Sequence, residues 1–393
     1  MTYMPESAIQ PRPLSWPPTK DDLDGARDID INYLCELALD GLMPMFDADA
    51  GLFCYQRKRT SGGMICKGVS HRYTVITLIG LLRCEAVGMR TPFDVEAILT
   101  RLLERLQWVE GIGDLGLLLW LCALSPRHFN KLCSTFDIKD APNRFRDASE
   151  GKTTELAWFL AGVAHAAMAI PEHRSAFADA ASQVYRWLVG NQGQGGLFGH
   201  LSKRRTIAAA LRSHVGCFAD QIYPIYALTR FAEAFDDDGA FGMAQKCAEA
   251  ICRLQGPLGQ WWWHYDSVTS QIFGKYPVFS VHQDGMAPMA LFALGDTTNR
   301  DFGEAIHRGL QWIGGSNELT CDLRDTSKNI IWRSIHRGGK YKTYLGGALT
   351  ALRPKANTEF VGHLQVNHEC RPYHFGWLLY AFAGRQSRYA QQS

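Results

Sequence analysis

The 393-residue sequence carries its most reactive side chains in short polar clusters, each at the start of a segment whose apolar residues recur at helical spacing. They read Ser70-His71-Arg72-Tyr73, Gly113-Asp114, Thr153-Thr154-Glu155, Asp220-Gln221-Ile222-Tyr223, Val281-His282-Gln283-Asp284 and Glu369-Cys370-Arg371-Pro372-Tyr373-His374. Helix N-termini expose unpaired N–H groups and a positive dipole end, which favour carboxylates and anionic ligands. Carboxylates, imidazoles and guanidiniums crowded in an apolar surround also have displaced pKa values, the usual condition for acid–base chemistry. Asp284, Asp220 and Glu369 are the candidate acids and bases, and His282 and Tyr223 the candidate bases for taking a proton beside a carboxylate. Asp114 and Thr153 read as helix caps, while Glu155 divides evenly between capping and ligand contact.

The binding side chains expected around them fall into three groups. His71, Arg72, Glu155 and Gln221 come from the first clusters, and Gln283, Arg371 and His374 from the last two. Trp261, Trp262, Trp263, His264 and Tyr265 form the most unusual text in the chain; three consecutive tryptophans cannot all face one core, so at least one is expected at a pocket wall or across the surface. Tyr276 follows a possible hairpin or lid at Ser267 to Gly274, and Trp332-Arg333 opens a stretch that pairs guanidinium with aromatic groups. Aromatic faces suit sugar C–H faces and carbocations alike; arginine takes a carboxylate or phosphate through two parallel hydrogen bonds.

Positioning these groups falls to helices. Segments with apolar residues at i, i+3, i+4 and i+7 lie near 30–43, 71–87, 93–108, 114–124, 153–169, 173–190, 217–234, 239–255, 284–294, 300–314 and 369–383. They come in pairs, one member apolar nearly all round and the other amphipathic, as an inner and an outer ring require. Period-2 strand text is scarce. The amphipathic members end in Gln- or Asn-containing glycine-rich turns: Gly190-Asn191-Gln192-Gly193, Leu254-Gln255-Gly256-Pro257, and more weakly Gly314-Gly315-Ser316-Asn317. The stronger copies recur after roughly 60 residues, the length of a helical hairpin with its connections. The expected fold is all-α, an (α/α) toroid of five or six hairpins over residues 29–393, preceded by a proline-rich arm at 1–28. With the inner helices parallel, every polar cluster meets at one mouth.

This pattern resembles the repeats of the terpenoid cyclases and prenyltransferases, and equally those of the six-hairpin glycosidases and the toroid polysaccharide lyases. The resemblance is one of architecture. It implies three uses: hydrolysis or elimination on an oligosaccharide or uronate-bearing glycan, which ranks first; cyclisation of an isoprenoid; or binding without catalysis. The class II cyclases carry an Asp-x-Asp-Asp acid motif on an inner helix that has no good copy here; Asp236-Asp237-Asp238 sits at a helix-to-helix turn, where acids cap the following helix.

Composition narrows the field. Lys+Arg 41 against Asp+Glu 39 gives a net charge of +2 with no long basic run, so nucleic acid is not an expected partner. No apolar run approaches the roughly 20 residues of a membrane span, and the first residues do not read as a secretory signal, so a cytoplasmic enzyme is expected. Eleven cysteines without a CxxC pair read as structural thiols. Neither metal-ligand spacing nor a nucleotide loop is present, so no metal or cofactor is expected.

Overall fold

The computed structural model describes residues 29–145, 151–201, 213–338 and 363–385. Among these, twelve α-helices of seven residues or more alternate between two rings. The outer helices are α1 (Ile31–Leu42), α3 (Val95–Glu104), α5 (Phe129–Thr135), α7 (Arg174–Val189), α9 (Asp238–Arg253) and α11 (Gly303–Ile313). The inner ones are α2 (His71–Ala86), α4 (Ile112–Leu124), α6 (Thr153–Ala169), α8 (Ala219–Phe235), α10 (Ala287–Thr298) and α12 (Pro372–Phe382). Each inner helix packs on the next, and α12 packs on α2, so the inner ring closes. This is the expected toroid, with all six hairpins present.

Sequence explains both rings. Helix α4 is buried along nearly its whole length, from Ile112 to Ala123, whereas α9 buries one stripe through Ala240, Ala244, Cys247 and Ile251. Polar side chains start the helices: Ser70 accepts from the Tyr73 N–H, Asp94 from that of Ala97 and Asp237 from that of Ala240, the last being the capping role expected of the acidic triplet. Where inner helices touch, glycine lets the backbones meet. A Cβ added at Gly116 of α4 would lie 2.3 Å from the Phe159 backbone of α6, and one at Gly80 of α2 would lie 2.3 Å from the Gly376 carbonyl oxygen of α12.

The glycine-rich turns proved to be staples. The side-chain amide of Gln192 donates to Gly196 O at 2.8 Å, closing its own turn, and to Met243 O of α9 at 3.0 Å. Gln255 repeats this with Gly259 O and with Ala305 O of α11, both at 2.8 Å. Each glutamine thus ties one outer helix to the next. Asn317 in the weaker copy bridges Trp312 O and Cys321 O and stays within its own turn.

Links from inner to outer helices are short, only Asp236 and Asp237 between α8 and α9, whereas four of those from outer to inner, the ones before α2, α8, α10 and α12, are long and carry the strands. All the long links therefore gather at the end where the inner helices start. β1 (Phe46–Asp47), β2 (Leu52–Thr60) and β3 (Gly63–Val69) precede α2; β4 (Val215–Cys217) precedes α8; β5 (His264–Asp266), β6 (Gln271–Gly274) and β7 (Val278–Phe279) precede α10. β8 (Arg324–Asp325), β9 (Ile330–Ile331), β10 (Ser334–Arg337), β11 (Leu364–Asn367) and β12 (Glu369–Cys370) precede α12. β12 pairs with β2, placing Glu369 opposite Lys58, and β10 joins β7 to β11. β5 and β6 form the hairpin expected near Ser267 to Gly274.

Two features escape the helical reading. Helix α5 is too short to show a period, and the β2–β3 hairpin has a basic, largely exposed face without clean alternation. The arm at 1–28 lies outside the described residues.

In equilibrium urea unfolding, Gln192→Ala and Gln255→Ala should each lose about 1–3 kcal/mol, the cost of stranding the carbonyls they bridge. Gly116→Ala should lose about 3 kcal/mol or more, because its neighbour is backbone and overpacking has nowhere to relax.

Candidate active site

At the start of α2, the Arg72 guanidinium holds two carboxylates from the next two inner helices. Its Nε lies 2.7 Å from Asp114 Oδ1 of α4, and its Nη1 lies 3.3 Å from Glu155 Oε1 of α6. Asp114 also accepts the N–H groups of Glu110 and Gly111, so it caps α4 as expected and joins the site as well. Glu155 takes only the Gly113 N–H, at 3.1 Å, and keeps 16% of its side chain exposed. Burial pushes the Glu155 carboxyl up from its ordinary range, and Arg72 only partly opposes it. A carboxyl that holds its proton more tightly than usual, at an accessible point, is the equipment of a general acid.

Thr153 is not the cap of α6. Lys152 holds that position, and the Thr153 hydroxyl donates to Gly199 O. Thr154 donates to Asp220 Oδ1 at 2.8 Å, tying α6 to α8. Asp220 is fully buried and also takes the Cys217 N–H at 2.9 Å and His200 Nδ1 at 3.0 Å.

Aromatic rings surround the acid. Arg72 lies 5.1 Å over Trp158, one helical turn beyond Glu155, and Trp158 meets Tyr223 of α8 edge to face at 5.1 Å. Tyr223 packs at 5.8 Å against Trp377 of α12. Tyr73 packs on Tyr373 at 4.6 Å and on Tyr55 of β2 at 5.4 Å, and its hydroxyl takes a 2.7 Å hydrogen bond from Arg371. Burial pushes the phenols of Tyr73 and Tyr223 well up and that of Tyr373 to about 12, so all three stay protonated donors. Arg371 and Arg333 share Glu369, whose carboxyl burial also pushes up; Arg333 reaches it at 2.8 Å.

Other expected site residues stand in the wall rather than the mouth. Asp284 is fully buried and binds His374 Nε2 at 2.6 Å between the α10 and α12 segments. His282 is 3% exposed, enclosed by Phe218, Phe279 and Trp263. Both sit in a widened π-turn, His282–Met286, that leads into α10. Gln221 clamps the Phe198 backbone through its N–H and carbonyl, and Gln283 joins Trp261 N–H to Phe279 O. Trp261, Trp262, Trp332 and Tyr265 are buried in packing, and the Tyr265 hydroxyl accepts the Trp262 N–H. Trp263 is the partly exposed member of its run and stacks on His282; its neighbour His264 is partly exposed too. Tyr276 donates to Glu318 at 2.9 Å, and His71 stacks on Trp108 at 5.3 Å.

Trp158, Trp377 and Tyr55 were not anticipated. The first two had a signal: they lie three residues beyond Glu155 and His374, on the same helix faces. A surface groove of about 350 Å³ lies elsewhere, bordered by Met43, Phe46, Phe93 and Arg101. Its ionic groups are already committed, Arg101 to the carbonyls of Ala48 and Asp49 and Asp94 to capping α3.

No family model matches the chain, and no curated protein matches it in sequence. Solved structures do. It is similar to an unsaturated glucuronyl hydrolase specific for heparin, at 13% identity over 93% of this chain and 98% of that one, with a TM-score of 0.56. A possible member of the GH105 family from Klebsiella pneumoniae matches at 11% identity over 99% of both chains, TM-score 0.58. An unsaturated glucuronyl hydrolase from Bacillus sp. GL1, responsible for the degradation of glycosaminoglycan, matches at 13% over 90% and 96%, TM-score 0.55. The fold is that of the (α/α) toroid glycosidases. None of the described helices is long and apolar enough to cross a membrane.

Buried imidazoles make stability depend on pH. Burial pushes His282 down to about 3 and His165 well below 6.5, so the folded chain refuses protons that the unfolded chain takes up near 6.5. Stability should therefore fall as pH drops below 6.5, by up to about 1.4 kcal/mol per pH unit for each imidazole. His165 bonds the Tyr226 hydroxyl at 2.8 Å, a contact an amide can imitate. Urea midpoints at pH 7 and pH 5 should fall less steeply for His165→Gln than for wild type; equal slopes would mean that His165 takes up its proton in the fold.

Proposed function

We propose that this chain is a glycoside hydrolase acting on a uronate-bearing oligosaccharide, with Glu155 as its proton donor. The observation that carries the proposal is the state of Glu155: a carboxyl raised by burial, still reachable, fixed by the Gly113 N–H and Arg72, and set beside an aromatic wall. Glu155 gives its proton to the glycosidic oxygen as the C–O bond breaks; the carboxylate so formed takes a proton from the water that adds to the sugar. Trp158, Tyr223, Tyr73 and Tyr373 offer ring faces and phenolic donors to the sugar ring. Asp114, salt-bridged to the same guanidinium, holds Arg72 in place.

Two further facts support this reading. The solved structures that share the fold over nearly their whole length include unsaturated glucuronyl hydrolases, one specific for heparin and one responsible for the degradation of glycosaminoglycan. Arg333 and Arg371 also share the single carboxylate of Glu369, which leaves positive charge at the mouth that favours an acidic sugar and disfavours the carbocation of an isoprenoid cyclase. Asp284 and His282, as wall residues, have a positioning role in this scheme, and Asp220 fixes the start of α8 against α6.

The test is turnover of an unsaturated glucuronyl disaccharide. Glu155→Gln should lower kcat by about 10²–10⁴ while the unfolding temperature changes little. For wild type, kcat/KM should fall as pH rises past the raised Glu155 value, because the acid form does the work, and the residual activity of Glu155→Gln should lack that limb. Retention of both activity and limb in the variant would remove Glu155 from the chemistry.

A further inference from the structure

We infer that one face of the β2–β3 hairpin, beside the mouth, is a binding surface for the rest of an acidic glycan, the uronate-bearing sugars beyond the bond that is broken. The inference rests on the glycoside hydrolase reading for the sugar in the mouth, and on the register and charge of the hairpin for the sugars outside it.

Register places the cations. Residues two apart on a strand share a face, and so do residues directly opposite each other on neighbouring strands. Gln56 stands opposite Lys67, and Lys58 stands opposite Ile65 of β3 on one side and Glu369 of β12 on the other. Gln56, Lys58, Lys67 and Glu369 therefore share one face. Glu369 ties that face to the mouth: its carboxylate is held by Arg333 and Arg371, and Arg371 donates to the Tyr73 hydroxyl. Arg57 and Arg59 alternate to the other face, where the Arg57 guanidinium donates to Lys328 O at 3.3 Å.

Charge on the first face does not balance. Glu369 is its acid, and both arginines already draw on it. Among the described residues, neither Lys58 nor Lys67 forms an ion pair. They are diagonal neighbours across the two strands, about 7–8 Å apart at the backbone, so they repel each other. These groups are also reachable, since Lys67 is exposed and Lys58 half-buried. Tyr55, 43% exposed with Arg371 lying 4.4 Å over its ring, adds an open aromatic surface where the mouth passes into the hairpin.

This pattern selects the partner. A glycan with a carboxylate on every second sugar carries negative charge outward from the bond in the mouth, along the line on which the cations stand. Gln56 between the lysines both donates and accepts, as sugar hydroxyls require. A second copy of this chain would instead bring like charges together across a two-fold contact.

The test is calorimetric binding, at low salt, of hyaluronan oligosaccharides of two and six sugars, which bear a carboxylate on alternate sugars. The chitin hexasaccharide serves as a neutral chain of equal length, and hexauridylate as a rival polyanion. Wild type should bind the longer hyaluronan about tenfold more tightly than the shorter, the gain that two exposed ion pairs supply together, and salt should erase that gain. The double variant Lys58→Ala, Lys67→Ala should lose the gain and bind the disaccharide as before; Lys58→Arg, Lys67→Arg should keep it. Disaccharide binding without a gain for the longer chain would overturn the inference and leave the hydrolase reading standing, as would a gain that survives the alanine variant. An equal gain for the chitin chain would assign it to length rather than charge, and equal affinity for hexauridylate would make the face a general polyanion surface; either overturns the inference. So would a dimer, seen in sedimentation velocity, that the alanine variant abolishes. A wild type that binds no sugar would overturn both readings.

Discussion

The contact between Gly80 and Gly376 is where the ring becomes a ring. Helices α2 and α12 are separated by most of the chain, and they meet with backbone against backbone, closer than any side chain permits. That approach sets the register of the mouth. Arg371, at the start of α12, then reaches the Tyr73 hydroxyl at the start of α2, and Tyr373 lies on Tyr73. The pairing of β12 with β2 repeats the closure one layer above, bringing Tyr55 beneath the Arg371 guanidinium at 4.4 Å. Interiors are dense enough that a displaced backbone is transmitted rather than absorbed, so a shift of α12 would carry Trp377 and the Arg371 cluster away from Glu155.

Closure creates an electrostatic problem and supplies its solution. Six parallel inner helices point their positive ends at one opening, and the chain answers with carboxylates in the first turns: Asp114, Glu155, Asp220 and Asp284. Their surroundings differ, and so does what they can do. Asp114 and Asp220 each have both oxygens engaged by donors. Glu155 has one backbone N–H and a share of one guanidinium. Burial, together with that deficit, pushes its carboxyl up; burial does the same to Asp284 and Glu369, but Asp284 is enclosed and Glu369 is shared by two guanidiniums.

Much of this was legible in the sequence. The alternation of all-apolar and amphipathic helices was readable because the two rings bury different fractions of a helix surface. The Gln192 and Gln255 turns stood out because each repeat must solve the same problem, tying an outer helix to the next. The polar clusters at inner helix starts were legible too, but not which way they face. Glu155 and Asp284 follow the same rule of position, yet one opens to the mouth and the other packs between helices. The difference lies in the rotation of each helix and in the π-turn before α10, which turns three consecutive polar residues inward. Helix α5 and the β2–β3 hairpin were hidden for a simpler reason, having too few residues or too little alternation to show a period.

The Asp284–His374 pair shows what the wall requires. Asp284 is buried with one oxygen bound to His374 and the other, Oδ2, without a donor, and His282 beside it has an unpartnered Nδ1. An apolar pair of similar size would avoid that desolvation cost. What an apolar pair would not do is fix an orientation. The carboxylate to imidazole bond joins the π-turn to α12 within the first turn of the helix that carries Trp377, so it determines how far α12 can rotate about its axis. Burial pushes Asp284 up and His374 opposes it, so the pair is held together by its hydrogen bond under either sharing of the proton. The wall thus uses the same residue types as the mouth for a different end: it holds in place the helix whose indole lies opposite Trp158, on which the geometry around Glu155 depends.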